Sequence, residues 1–188
     1  MIPLTASDKN EKREGLGRQA LLLGYDLVGT LIIALSVFAV LTSYFVRVIG
    51  VDGSSMQPTL QNGDLLLLSV TEDQYRHGDI VVVDRYTYSP LIKRIIAVGG
   101  DTISITSDGQ VYLNDRLLQE EYIQGKTVLR DFPGEITVPR GYLFVMGDNR
   151  PVSKDSRMNE VGLISVKDVV GKAEFCIWPL PSFGKIPS

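Results

Sequence analysis

The longest apolar run in the chain reads "LVGTLIIALSVFAVLTSYFV", Leu27 to Val46, 20 residues without a charge. At about 1.5 Å per residue a helix of that length spans about 30 Å, the hydrocarbon thickness of a bilayer. It is apolar on all sides, which a core helix of a soluble protein rarely is. It is also longer than the apolar stretch of a cleaved secretory leader, about 7–15 residues. The run therefore reads as an uncleaved membrane anchor, with Tyr44 at headgroup level. The stretch before it, "MIPLTASDKNEKREG", is polar and reads as loose.

Beyond Asp64 the pattern changes to short runs rich in Val, Ile and Leu, broken by turn residues. "DLLLLSV", "DIVVVDRY", "LIKRIIAV", "TISI", "QVYLN", "EITV", "YLFVM" and "VVGKAEFCIW" read as strands. "SDGQ" predicts a hairpin of type I′. "VGGD" and "MGDN" are further turns, and "PLPSFGKIPS" reads as a Pro-rich tail. No long segment beyond the anchor has helical periodicity, and a helix near Val166–Val169 would be a short turn. The fold class expected is mainly β, a compact antiparallel β domain on a single N-terminal transmembrane helix. The expected divisions are a cytoplasmic tail at 1–20, a transmembrane helix at 21–47 and an extracytoplasmic β-rich domain at 48–188.

Charge sets the direction of the span. Lys9, Lys12, Arg13 and Arg18 precede it, and after Arg47 no Lys or Arg occurs before Arg76. The positive-inside rule places the N-terminus in the cytoplasm and the β region outside. The net charge of −3, with no dense basic stripe, argues against a nucleic-acid partner. The single Cys, Cys176, and single His, His77, exclude a disulfide framework and a His- or Cys-built metal site. No cofactor is expected.

Candidate chemistry begins in "VDGSSMQPTLQNGD", Val51 to Asp64, where two serines stand a few residues past the anchor. A serine hydroxyl needs a base to become a nucleophile. His77, in a turn, could complete a triad, but it reads more simply as a solvent-side turn residue. A Ser-x-x-Lys spacing is absent, so a lysine base would have to come from another strand. In "LIKRIIAV" alternation puts Leu91, Lys93, Ile95 and Ala97 on one face. Lys93 there is either a desolvated amine of lowered pKa or a strand-end lysine reaching solvent along its stem. The opposite face, with Ile92, Arg94, Ile96 and Val98, is nearly as apolar, so periodicity alone does not choose.

Four stretches together carry a resemblance: "GSSMQPTL" (53–60), "HGDIVVV" (77–83), "KRIIAVGGD" (93–101) and "GDNRPVSKDSR" (147–157). In that order, after an N-terminal anchor, they resemble the sequence boxes of type I signal peptidases. The short spacing between the last two is similar to the compact Gram-positive type. The resemblance implies a membrane-bound serine endopeptidase that removes signal peptides from exported preproteins, cutting after small residues of the Ala-x-Ala sort. It implies Ser55 as nucleophile and Lys93 as general base, with Ser153 supporting the lysine amine. Asp148 matches the box's first acid, Asp155 and Arg157 a structural ion pair, and Arg94 the supporting arginine beside the base. Gly53 stands where some members carry an oxyanion-binding hydroxyl. The oxyanion site then rests mainly on backbone N–H groups, that of Ser55 first, with Ser54 a candidate second donor.

An extended substrate would pair near "VIGVDG" and "SPLIKR", touching Ile49, Val51, Asp52, Met56, Leu91 and Ile92. Val48, Ile49 and Met56 are open to two readings, lipid contact or ordinary core. Implied partners are signal-peptide-bearing preproteins, membrane lipid and a nearby secretion channel, at a bacterial cell membrane. A self-cleaving repressor-type peptidase and a tethered binding protein with vestigial site residues are the rival readings. A specialised substrate such as a pilin stays open.

Overall fold

The computed structural model describes residues 6–70, 74–84 and 90–187, and within its long helix the side chains of 21–40. Residues 1–5, the Tyr44 side chain, Arg85 and Tyr86 at the end of the second strand stretch, and Ser89 lie outside the described residues. The chain divides into two units, residues 1–44 and 45–188.

The first unit is one helix, α1 (Ala6–Phe45), which runs on to the first residue of the second. It starts well before the apolar run, so the stretch expected to be loose is helical from Ala6. That part holds no proline, and Glu11, Lys12, Arg13, Gln19 and Ala20 are good helix formers. Between Leu21 and Val40 the helix is long and apolar enough to cross a membrane, and none of that window is buried by protein. Leu27, Leu31, Phe38 and Val40 are all more than half exposed. Such a surface in water would cost about 25 cal/mol per Å² of apolar area, which lipid removes.

The second unit is built of antiparallel strands: β1 (Val46–Gly50), β2 (Leu65–Ser69), β3 (Ile80–Val83), β4 (Leu91–Val98), β5 (Thr102–Ile105), β6 (Val111–Leu113), β7 (Arg116–Leu117), β8 (Glu135–Thr137), β9 (Tyr142–Met146), β10 (Ile164–Ser165), β11 (Val169–Trp178) and β12 (Gly184–Lys185). The larger sheet has the order β1-β2-β11-β3-β4-β9-β10, with β12 also on β11; the smaller has the order β7-β6-β5-β8. Every apolar run expected to be a strand contains one. The strands the pattern missed, β1, β7, β10 and β12, are short or merged with the anchor. Helix α1 stops at Phe45, so Val46 and Arg47, assigned to the span, pair with Ser69 and Leu68 in β1.

Three apolar clusters fill this unit. One packs Met56, Leu60, Leu66, Leu68, Ile80 and Val82 with Ala173, Cys176 and Ile186. A second joins Ile96, Ile103, Ile105, Phe132 and Phe144 between the sheets. A third collects Val81, Val83, Ile95, Val145 and Ile164. β4 is buried on both faces from Ile92 to Ala97, with an irregularity in its pairing to β9 between Ile95 and Ala97. That double burial is why alternation could not assign its inner face.

Two local expectations are refined. In the β5–β6 hairpin only Gly109 has positive φ, at 89°, and Asp108 does not. Thr106 pairs with Gln110 across the turn, so it is wider than type I′. The Pro-rich tail is packed into the fold. A 3-10 turn (Leu180–Ser182) leads into β12, Ile186 joins the first cluster, and the Pro187 carbonyl accepts a bond from Arg94.

Ile186→Ala should therefore cost about 2–3 kcal/mol, because it opens a cavity in the core. Leu180→Ala, at a side chain 71% exposed, should stay within about 0.5 kcal/mol. Chemical denaturation of the detergent-solubilised chain distinguishes the two.

Candidate active site

Ser55 lies in the loop between β1 and β2, where Met56 and Leu60 are pulled into the first cluster and anchor the turn. Gly53 precedes it with φ +97° and donates its N–H to Asn62 Oδ1 at 2.8 Å. Any side chain would be strained at that φ, which explains a glycine where a hydroxyl residue could otherwise stand. Ser54 is exposed and its carbonyl accepts from Asn149 Nδ2 at 3.1 Å.

Lys93 comes from the middle of β4, 3% exposed. Its Nζ lies 2.9 Å from Ser55 Oγ and donates to the Ile92 carbonyl at 2.8 Å. Burial away from water lowers its pKa from 10.5 to about 8, against the opposing charges of Asp155 and Asp148. The physical reason is that an ammonium loses its hydration when buried, so the neutral amine gains. A neutral amine at hydrogen-bond distance from a hydroxyl can take its proton.

Ser153 is fully buried, and its Oγ has no hydrogen-bond partner among the described residues. A side chain at Gly147 would overlap both that oxygen and the Ser55 carbonyl, so glycine lets the two loops meet there. The structure thus places Ser153 beside Ser55's backbone, while the Lys93 amine is bonded to Ser55 and Ile92.

The acids that oppose Lys93's neutrality are each clasped by an arginine. Asp148 takes two bonds from Arg94, at 2.9 and 2.8 Å, and one from Thr59. Asp155 takes two from Arg157, at 2.8 and 2.7 Å, and holds the Gly147 N–H. All four charged side chains are at most 1% exposed. Two-pronged pairing neutralises each carboxylate locally, so neither draws a proton strongly onto the lysine.

The remaining residues singled out in the sequence fall into two groups. Val51, Asp52, Gly53, Ser54, Ser55, Met56, Leu91, Ile92 and Lys93 line one cleft of about 280 Å³, completed by Pro90, Val152 and Lys154. Ile49 is not on that lining; it packs against the core from β1. His77 is exposed, and its Nδ1 is bonded to the Ile96 carbonyl at 2.9 Å, outside the cleft. No triad can be assembled from it there.

Among the described residues two strand edges lack a partner near the cleft: β1 pairs with β2 alone, and the Leu91–Lys93 half of β4 pairs with β3 alone, its partnership with β9 beginning at Arg94. The reading of the sequence missed Glu120, Tyr122, Thr127 and Arg150, which surround the Gly147–Arg150 turn. Glu120 pairs with Arg150 at 2.9 Å, Thr127 accepts from it at 2.6 Å, and the Tyr122 ring lies 4.1 Å from the Arg94 guanidinium. Glu120, Tyr122 and Thr127 sit in irregular chain far from the motif stretches, where no local pattern marks them.

A hydroxyl and a buried amine in contact, in a cleft between free strand edges of a β domain, make a serine-peptidase type of site. Residues 25–178 match the family described as "Signal peptidase, peptidase S26". The chain is 33% identical to a signal peptidase I of Bacillus licheniformis over 174 residues, 86% of this chain and 92% of that protein. It is 32% identical to one of Bacillus amyloliquefaciens over 189 residues, 94% and 98% of the two chains. To signal peptidase I T of Bacillus subtilis (strain 168) it is 37% identical over 142 residues, 69% and 72% of the two. A crystal structure of a signal peptidase I from Enterococcus faecalis V583 superposes with a TM-score of 0.43 at 27% identity, covering 53% of this chain and 97% of that one. This chain belongs to the peptidase S26 family of signal peptidases and is a serine endopeptidase.

Arg157→Met would leave Asp155 buried without its partner. The expected cost is about 3–5 kcal/mol of folding free energy, read from the denaturation midpoint. Lys154→Met, at an exposed lysine 3.5 Å from Glu160, should cost under about 1 kcal/mol.

Proposed function

We propose that this chain is a membrane-anchored signal peptidase that cuts exported preproteins at the outer face of a bacterial membrane, with Ser55 as nucleophile and Lys93 as general base. The observation that carries the reading is the 2.9 Å contact between Ser55 Oγ and the buried Lys93 amine. As Oγ attacks the scissile carbonyl, Lys93 takes its proton. Backbone donors, the Ser55 N–H first, receive the charge that develops on the carbonyl oxygen, each worth about 3 kcal/mol in comparable enzymes. The resulting ammonium returns the proton to the leaving amine, and the peptide downstream of the cut departs as the acyl-enzyme forms. Lys93 next takes a proton from water, whose oxygen attacks the ester. The proton passes back to Ser55 Oγ, and the signal peptide leaves with a new carboxylate.

A neutral amine has one lone pair and two N–H groups. The lone pair serves Ser55 and one N–H serves the Ile92 carbonyl. The second N–H is left for Ser153, whose buried Oγ has no partner among the described residues.

Substrate enters as an extended strand between the free edges of the β1 extension and β4, near Val51–Asp52 and Pro90–Ile92. Met56, Leu91 and Ile92 narrow the apolar part of the cleft, which favours small residues of the Ala-x-Ala sort. Helix α1 anchors the chain as a single pass, and the bias of basic residues toward its N-terminal side supports an outward-facing β unit. Ser55 follows Phe45, the last residue of α1, by ten residues, so the chain between them reaches at most about 35 Å. This tether keeps the nucleophile near the lipid surface, where a signal peptide presents its cleavage site.

Lipid contact draws further support from the outward face of β1, β2 and β11. Val48, Phe175 and Trp178 are 56%, 41% and 53% exposed there, and Val48 and Phe175 both pair across to Leu67. Of the three side chains open to either reading, Val48 is thus the exposed one, Met56 is core, and Ile49 is half-buried against it.

A cleavage assay with the full chain in detergent micelles and a preprotein bearing an Ala-x-Ala site tests the proposal. Ser55→Ala and Lys93→Met should each lose at least about 1,000-fold in kcat/KM, while Ser54→Ala keeps most of it. Normal turnover by either of the first two would overturn the assignment. Because the base must be neutral, the rate should fall as pH drops through the Lys93 pKa of about 8. A profile flat down to pH about 5 would mean a different base. A parallel run with a pilin-like substrate separates general from specialised traffic.

A further inference from the structure

Behind the turn at Gly147–Arg150, on the side away from Ser55 and Lys93, runs a six-residue stretch that touches none of the reacting atoms. Residues 120–125 lie alongside that turn, with a short parallel bridge between Gln124 and Asn149. The Gln124 N–H donates to the Asp148 carbonyl at 2.7 Å, and the Gln124 carbonyl accepts from the Arg150 N–H at 3.0 Å. Glu120, its side chain 6% exposed, holds the fully buried Arg150 guanidinium. Arg150 in turn donates through Nε to the Gly147 carbonyl at 3.1 Å. Tyr122 donates its hydroxyl to Glu120 at 3.0 Å and lays its ring on Arg94, the partner of Asp148. Gly125, with φ +74°, packs so closely on Pro151 that a Cβ would overlap the ring.

The turn gripped on this side grips the nucleophile on the other. The Asn149 N–H donates to the Ser55 carbonyl at 3.0 Å, and Asn149 Nδ2 donates to the Ser54 carbonyl at 3.1 Å. The loop carrying Ser55 is also held by burial of Met56 and Leu60, by the Gly53–Asn62 bond and by the Thr59 hydroxyl, which donates to Asp148. Asn149 is the part of the turn that holds the Ser54 and Ser55 carbonyls directly.

We infer that residues 120–125 form a positioning strap: by fixing the Gly147–Arg150 turn from behind, Glu120, Tyr122 and Gln124 set the aim of Ser55 Oγ at the Lys93 amine. Glu120 and Tyr122 are positioning residues, since they act through Arg150, Arg94 and Asn149 and touch no substrate. The stretch also keeps the Arg150 charge paired, so that no uncompensated cation or carboxylate is left in the wall of the site. The strap lies outside the cleft lining, so its loss should weaken the chemical step and leave substrate binding alone. A misplacement of about 1 Å at a nucleophile can cost about 100-fold.

The inference rests on Ser55 as nucleophile, and the test keeps the two separable. Steady-state kinetics of the full chain in micelles, with the preprotein substrate, are measured for Glu120→Ala, Glu120→Gln and Tyr122→Phe. Ser55→Ala and Ile105→Val, the latter in the smaller sheet, serve as controls. Glu120→Ala should lower kcat about 30- to 100-fold with KM changed less than about twofold. Glu120→Gln, which keeps one acceptor for Arg150, should recover part of that loss, and Tyr122→Phe should lose about threefold. Ile105→Val should lower the melting temperature with kcat unchanged. If Glu120→Ala does not fold, the ordering of the other two decides. A kcat within twofold of the parent for folded Glu120→Gln and Tyr122→Phe, or a rise in KM in place of the fall in kcat, overturns the strap. Activity remaining in Ser55→Ala overturns the nucleophile instead.

Discussion

A lysine amine shut away from water beside a serine hydroxyl is the constraint around which the β unit is organised. An ammonium buried without compensation is costly, so the amine is pushed toward its neutral form. That push works only if the nearby carboxylates are prevented from drawing a proton back onto it. Asp148 and Asp155 both act on Lys93, and both are held by arginines with two bonds each. The apolar walls supply the desolvation; the paired charges keep the field from undoing it. On the proposed mechanism the same arrangement gives a base that is half-neutral at a pH of about 8.

The ion pairs serve geometry as much as charge. Gly147 marks the point where the loop of Ser153 meets the backbone of Ser55, with its N–H held by Asp155 and its carbonyl by Arg150. Replacing these pairs with apolar side chains of equal volume could match them in stability. It would not reproduce the directional bonds that locate the turn. A buried polar network of this kind is useful because it has few alternative arrangements when every member is satisfied. The Ser153 hydroxyl is buried beside Gly147 and without a partner among the described residues.

Much of this architecture is visible in the chain itself, for identifiable reasons. The apolar helix shows because about 20 apolar residues stand in a row, the length a bilayer demands. β3, β5, β9 and β11 show because each is a short apolar run between turn residues. β1 does not, because Val46 and Arg47 continue the anchor without a break and their pairing to β2 is a long-range contact. The face of β4 is illegible because both faces are buried. Ser55 and Lys93 are legible only through the motif stretches, since 38 residues separate two atoms that touch. Glu120 and Tyr122 are illegible altogether: what distinguishes them is what they reach across the fold, namely Arg150 and Arg94. The final residues mislead for a related reason, as a proline-rich composition hides the buried Ile186 and the carbonyl that Pro187 lends to Arg94.

The most direct measurement is the titration of the Lys93 amine itself. Lysine labelled with 13C at Cε, with Lys93→Met as the assignment control, gives the shift of this one side chain as a function of pH in the micelle-bound chain. A midpoint near 8, about 2.5 units below the ordinary lysine value, is what the burial and the paired carboxylates predict. A midpoint near 10.5 would mean an amine charged at working pH, unable to accept the Ser55 proton, and would contradict the account at its centre.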